Sequence, residues 1–452
     1  MNPHQELQEQ PIGKLLWKFS LPAVIGMTVN SLYNIVDRIF VGQGVGSIGI
    51  ATTTVAFPIM IIFFAVSVLI GIGSTALISI RMGQGKYEEA EKIMGNGTIM
   101  LVILPLLLSV IYYLFNERIL IFFGSSPDVL PYARDYTDIV ILGSVFGSIS
   151  VGMTNYIRAD GRPKTAMLSQ ILGGVTNVVL NYLFTFKMGM GIKGLAWATI
   201  IGQFASSLWV LSYFLRDKSA IKLRFKNFRP QLTIIFKIIS IGFAPFGLQM
   251  ANSVQQTILN KTLQEHGGDM ALSAVGIILS VATILFMPVV GVSQGAQPII
   301  GYNYGAEEYG RVKETLKKAV IVATCMVLVN YIIIHIWPAQ IIGLFNKDPD
   351  LIALTKPAML VYFTMMPIIG FQIICSNYFQ AVGKPVQSAI LSLSRQILFF
   401  IPLLLILPNY WGIEGVWRTP PIADSSAVIL TACLIIREMK NLPKTVSSEE
   451  SN

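Results

Sequence analysis

Asn30, Asn34 and Asp37 stand four and three residues apart in an apolar run. A helix places all three on one face, with Tyr33 beside the stripe. A carboxylate with amide and hydroxyl oxygens can hold a proton or a small hard cation such as Na+. Two later runs carry pairs of the same kind, Asn177 with Asn181 and Thr199 with Gln203, each spaced by four. An ionisable side chain inside a membrane helix is costly and marks a functional site. Two plainer readings stand beside this one. Asp37 and Arg38 can form an ion pair near the headgroups, and any single Asn can serve as a helix–helix hydrogen bond. A second polar set is Asp424, with Arg418 one and a half turns before it and Arg395 on the preceding run. It reads first as a structural carboxylate–arginine pair.

The elements that must hold these residues are apolar. Hydrophobic residues make up 53% of the 452-residue chain and charged residues only 13%, about half the charge of a soluble domain. A bilayer-crossing helix needs about 20 apolar residues. Twelve runs qualify, near 16–39, 51–80, 94–115, 136–157, 165–186, 194–214, 236–260, 271–300, 319–337, 357–380, 386–408 and 415–436. With both termini inside, 23 of the 33 Lys and Arg residues fall in cytoplasmic segments, 7 in external loops and 3 within or at the ends of spans. That is the positive-inside bias. The net charge of +9 therefore belongs to membrane topology and not to nucleic-acid binding. The three Cys and three His are scattered, with no spacing for a metal centre or a disulfide framework. The polar N-terminus has no basic region of the kind that opens a cleaved signal peptide.

The twelve runs are two sets of six. Gly191-Ile-Lys-Gly-Leu-Ala-Trp197 returns as Gly412-Ile-Glu-Gly-Val-Trp417, 221 positions later. Asn155-Tyr156 returns as Asn377-Tyr378 and Gly161-Arg-Pro163 as Gly383-Lys-Pro385, each 222 later; Pro22 matches Pro245, 223 later. Parallel repeats of this kind suit two bundles that rock about a site between them. The expected architecture is an all-α integral membrane protein with two pseudo-symmetric six-helix bundles. Its parts are an N-lobe (1–214), a cytoplasmic inter-lobe loop (215–235) that is the natural hinge, a C-lobe (236–440) and a polar tail (441–452). The eight prolines inside the runs read mostly as shape features. Gly291-Val-Ser-Gln-Gly295 fits the nucleophile-elbow pattern and Gly44-Val-Gly-Ser-Ile-Gly49 a dinucleotide loop. Neither has the strand that its motif requires, so the chain is not expected to be an enzyme.

In order and spacing, Pro22 with Asp37, Arg81-Met-Gly-Gln-Gly85, Asn155-Tyr-Ile-Arg-Ala-Asp-Gly-Arg-Pro163 and their echoes, Tyr302-Asn-Tyr-Gly305 and Asn377 to Pro385, resemble the bacterial multidrug and toxic compound extrusion (MATE) transporters. The resemblance covers all twelve spans. It implies two six-helix lobes around a central cavity and export of amphipathic, mostly cationic drugs or dyes by antiport with H+ or Na+. It also implies a bacterial cytoplasmic-membrane location. It carries the ion-site role onto Asp37 and, with Asn34 beside it, onto Asn177, Asn181 and Thr199. Some relatives have an Asp on the fifth helix where this chain has Asn181, and others have acids on the seventh and tenth helices, which are acid-free here. A monomer with no cofactor beyond the coupling ion, and no metal beyond Na+, is expected. Candidate cavity residues are Met27, Asn30, Tyr33, Met153, Gln249, Met287 and Gln372, with Met250, Met365, Met366, Phe286 and Tyr362 as further apolar lining; methionine suits promiscuous surfaces. The alternative cargo is a lipid-linked saccharide, whose phosphates would call for several Arg or Lys in the cavity. Asp37 falls opposite Asn260 in the repeat, and Asn177 and Asn181 opposite Phe399 and Leu403. Ion coupling is thus expected in the first half alone.

Overall fold

The computed structural model describes residues 3–216 and 219–443. The last nine residues of the expected tail lie outside the described residues, as do two residues of the loop. No strand occurs among the described residues. Among the described residues, ten helices are long and apolar enough to cross a bilayer, and two bent pairs complete the twelve expected spans. The first to third are Ile12–Gly44, Ile48–Gly83 and Tyr87–Phe122, and the fifth and sixth are Pro163–Lys187 and Gly191–Leu215. The fourth is Leu130–Leu142 with Ser144–Ala159, bent by 50° at Gly143. In the second half the seventh to ninth are Leu232–Gly268, Met270–Gly305 and Tyr309–Ile336, and the eleventh and twelfth are Pro385–Trp411 and Ile413–Asn441. The tenth is Pro349–Tyr362 with Met366–Ala381, bent by 51°. Its break ends at Met365, which the repeat places opposite Gly143. The fifth and eleventh spans each contain a π-helical segment, Leu183–Lys187 and Ser394–Phe400. Such widened turns recur at functional positions.

By contact, the chain divides into two compact units whose borders fall inside helices. Unit 1 is Met1–Glu9 with Ile25–Phe246, and unit 2 is Gln10–Val24 with Gly247–Asn452. The opening turns of the first and seventh spans are therefore exchanged between the sequence halves, and the borders inside these spans lie within two residues of Pro22 or Pro245. Glycines make the exchange possible. In unit 1, a Cβ on Gly242 would lie 1.9 Å from the Leu69 carbonyl oxygen, and one on Gly73 would lie 2.2 Å from that of Ile238. In unit 2, a Cβ on Gly291 or Gly295 would lie 2.6 Å from the Cα of Val24 or Ser20. The obstacle is backbone in each case, so the neighbour has no rotamer by which to yield. Gly242→Val and Gly295→Val are expected to cost about 1–3 kcal/mol each, read as a lower thermal midpoint in detergent. Gly276→Ala, with nothing within 4 Å of its Cβ, should leave the midpoint unchanged or raise it.

The interior of unit 1 is closed by Val41, Ala56, Tyr136, Val140, Ile192, Leu195 and Ala196. This cluster locks the end of the first span against the second, fourth and sixth. The inter-lobe loop is fastened to the same unit. Asp160, 1% exposed, accepts the Tyr213 hydroxyl and the amides of Ala220 and Ile221. Burial pushes its carboxyl up to about 6, against the pull of those donors and of Arg162. Glu91 accepts the Lys222 amide at 3.0 Å and pairs with the Arg224 guanidinium. Asn96 accepts the Gln231 amide at 2.7 Å. In unit 2, Arg311 donates to the Gln10 carbonyl at 2.8 Å. Glu91 and Arg311 are 220 residues apart, the repeat spacing of their neighbourhood. Each third helix of a repeat thus anchors the segment that leads into an exchanged helix.

Candidate functional site

Small residues bring the fifth and sixth spans together. A Cβ on Gly202 would lie 2.8 Å from the Gly173 carbonyl oxygen and 3.1 Å from the Asn177 Cβ. That approach lets Asn177 reach across to Thr199. The hydrogen bonds then run in one line. Thr199 donates its hydroxyl to the Leu195 carbonyl at 3.0 Å and accepts from Asn177 Nδ2 at 3.3 Å. Asn181 Nδ2 donates to Asn177 Oδ1 at 3.0 Å and to Asp37 Oδ1 at 2.7 Å. Asn177, Asn181 and Thr199 are all at least nine-tenths buried, whereas Asp37 is half-buried. The carboxylate therefore sits at the outer end of a chain whose other members are sealed in helix packing.

One atom is left over. Asn181 Oδ1 is buried and has no hydrogen-bond partner, a condition that ordinarily costs about 1–3 kcal/mol. It is turned away from the carboxylate because both amide hydrogens are in use. If Asp37 takes a proton, a flip of the Asn181 amide lets this oxygen accept from it. The site can thus hold a proton or receive a small cation, and its donors hold the carboxylate in place. Tyr33 and Tyr136 lie within electrostatic reach of Asp37. Tyr136 was not among the residues singled out from the sequence. It lies on the fourth span, where only its burial at 3% exposure marks it.

The other candidates fall in separate places. The Asn34 side chain lies outside the described residues. In unit 1, Asn30 is exposed and Met27 and Tyr33 are half-buried, while Met153 is fully enclosed in helix packing. In unit 2, Gln249 and Met287 are half-buried and Gln372 is buried. Asp424 is 3% exposed and accepts from Arg395 Nε at 2.5 Å. Arg418 turns instead to Glu414, at 3.7 Å, and lies over the Trp411 ring. Beside the Arg395 pair, Gln396 donates to Asn252 Oδ1 at 2.6 Å. Both units therefore bridge their first and fifth helices with one hydrogen bond donated by a side-chain amide, Asn181 to Asp37 and Gln396 to Asn252. Only the first bridge ends on a carboxylate. Among the described residues, no group of three His, Cys, Asp or Glu side chains is placed to hold a metal ion.

Comparisons with known proteins agree with the duplicated helical fold. A model of the family described as MatE matches residues 22–183 and 245–406, one match for each repeat. The multidrug export protein MepA of Staphylococcus haemolyticus (strain JCSC1435) is 24% identical over 434 residues, covering 96% of this chain and 95% of the relative. MepA of Staphylococcus aureus (strain NCTC 8325 / PS 47) is 24% identical over 447 residues, covering 98% and 97%. Among solved structures, the MATE multidrug transporter DinF-BH, solved as a complex, is similar at 36% identity and a TM-score of 0.89, with 95% and 96% of the two chains covered. The outward-facing conformation of a multidrug resistance MATE transporter matches with a TM-score of 0.91 at 22% identity, covering 97% and 98%. At that identity the likeness speaks for the fold.

Proposed function

The chain belongs to the MatE family, whose members are transporters and not enzymes, and from that premise we propose that it exports amphipathic, mostly cationic compounds by antiport with H+ or Na+. The observation that carries the coupling is the line of hydrogen bonds from Thr199 to Asp37, which ends on a half-buried carboxylate in one half of a duplicated fold. Of the two ions the network favours H+. A hard cation takes several oxygen ligands at once, and here Asn177 Oδ1 and Asp37 Oδ1 both already accept from Asn181 Nδ2, whereas a proton needs only one acceptor. An ion drives transport only by binding the two states unequally. A proton on Asp37 does so by removing the charge that Asn181 holds and by releasing the amide to turn.

Cationic cargo is supported by two of the three arginines within or at the ends of the expected spans, the third, Arg38, being exposed next to Asp37 in the sequence. Arg395 and Arg418 are both committed to carboxylates, which counts against a phosphate-bearing lipid-linked saccharide. The solved structure that is 36% identical is that of a multidrug transporter, and the MepA relatives are described as multidrug exporters. The protein works as a monomer in the bacterial cytoplasmic membrane, with both termini inside and alternating access for its cargo.

Purified protein in liposomes loaded with ethidium tests the proposal when a proton gradient and a Na+ gradient are imposed separately. Export driven by inward H+ alone is the expected result. Export driven by Na+ alone overturns the choice of ion, and export under neither gradient overturns antiport.

A further inference from the structure

From Ser219 to Lys237 the chain contains five basic residues, Lys222, Arg224, Lys226, Arg229 and Lys237, and no acidic one. The sixth span ends at Leu215 and the seventh begins at Leu232, so this strap joins two spans and includes the first turns of the seventh. It is not a loose loop. Asp160, Glu91 and Asn96 hold its backbone at Ala220, Ile221, Lys222 and Gln231. Asn227 is buried, and Gly95 lets it in, since a Cβ there would lie 2.5 Å from the Asn227 carbonyl oxygen. Everything the clamps use faces inward. What faces outward is basic and aromatic. Phe225 is 85% exposed on the short 3-10 turn Phe225–Asn227, and Leu232 and Phe236 are 70% and 68% exposed. Lys226, Arg229 and Lys237 are exposed, and none of them joins an ion pair among the described residues.

We propose that this strap is a docking surface for anionic phospholipid headgroups, with Phe225 entering the interface beside Lys226. The proposal rests on the membrane placement above and concerns a partner other than the cargo. Basic residues next to a span attract acidic lipids, and an aromatic ring with an apolar body suits the headgroup level. The clamps add what a flexible loop lacks. The backbone is already ordered, so little conformational freedom is lost when the headgroups arrive. The clamps also tie the lipid contact to unit 1, where the Asp37 network lies.

The test uses the full chain with Cys325, Cys375 and Cys433 replaced and Phe225→Cys labelled with an environment-sensitive fluorophore. The fluorophore takes the place of the Phe225 ring in the interface, and the 85% exposure of that ring makes the variant safe for the fold. The protein is placed in nanodiscs of brominated phosphatidylglycerol or brominated phosphatidylcholine at equal bromine content. Stronger quenching by phosphatidylglycerol, reversed by high salt, is expected. Each basic residue removed in the series Lys226→Gln, Arg229→Gln and Lys237→Gln should lower that preference about fivefold. Equal quenching in the two lipids, or a preference that survives the triple variant, overturns the proposal. Nanodiscs expose both faces of the membrane, so the result does not depend on orientation. A membrane-impermeant thiol reagent applied to right-side-out and inverted vesicles tests the orientation separately.

Discussion

Asp37→Asn is expected to lower gradient-driven export about 100-fold, towards the leak of protein-free vesicles, while drug binding at equilibrium is retained. The magnitude is that of a coupling energy near 3 kcal/mol. The geometry explains why the fold survives. Asn181 Nδ2 reaches Asp37 Oδ1 at 2.7 Å, and an Asn at 37 still offers an oxygen to that amide, so no new buried polar atom is orphaned. The side chain keeps its shape and loses only the ability to change charge. An ion gradient can move a two-state equilibrium only through a group that binds the ion unequally in the two states, and the variant has lost that group. Ethidium efflux from loaded liposomes under an imposed proton gradient measures the loss, and fluorescence titration of the detergent-purified variant measures binding. Gradient-driven export at the unmodified rate would remove Asp37 from the mechanism. If binding is lost together with export, Asp37 is a cargo contact and the coupling group lies elsewhere.

Much of this site was legible before any coordinates. The spacings of four between Asn177 and Asn181, and between Thr199 and Gln203, place side chains on common faces whatever the tertiary fold. What spacing cannot give is direction. The amide of Asn181 faces the carboxylate because the Gly173–Gly202 approach brings Asn177 within reach of Thr199, and that depends on a backbone distance of a few ångströms. The repeat was legible as shared glycines and prolines. The exchange of the opening helical turns was not, because Gly73 and Gly242 look like ordinary membrane-helix glycines until their neighbours are known. The matched anchors are hidden in the sequence of the two halves. Glu91 and Arg311 carry opposite charges and so seem unrelated. One accepts from a backbone amide and the other donates to a backbone carbonyl, and opposite charges are what those tasks require. Asp160 lies in a stretch that reads as a family signature, and its burial depends on packing that one sequence does not carry.

Arg395→Leu tests whether the second polar set is structural. It leaves the Asp424 carboxylate, 3% exposed, without its guanidinium. An uncompensated buried charge costs about 3–5 kcal/mol, so the variant should show a sharply lower thermal midpoint in detergent and a low yield. Arg395→Leu combined with Asp424→Leu removes both charges and leaves nothing polar to satisfy between them. Because desolvating two ions offsets much of their attraction, replacing a whole buried pair is often close to neutral. The double variant should therefore recover most of the lost stability, and the difference between single and double isolates the pairing. The same double variant separates structure from coupling. Arg395 sits in the π-helical segment Ser394–Phe400, next to the Gln396–Asn252 bridge, so the pair fixes a widened turn that the helix would otherwise repack. If that is its whole role, the double variant folds and exports ethidium under a proton gradient. A stable double variant that binds drug and fails to export would instead give Asp424 a share in the coupling, and the first unit would no longer hold it alone.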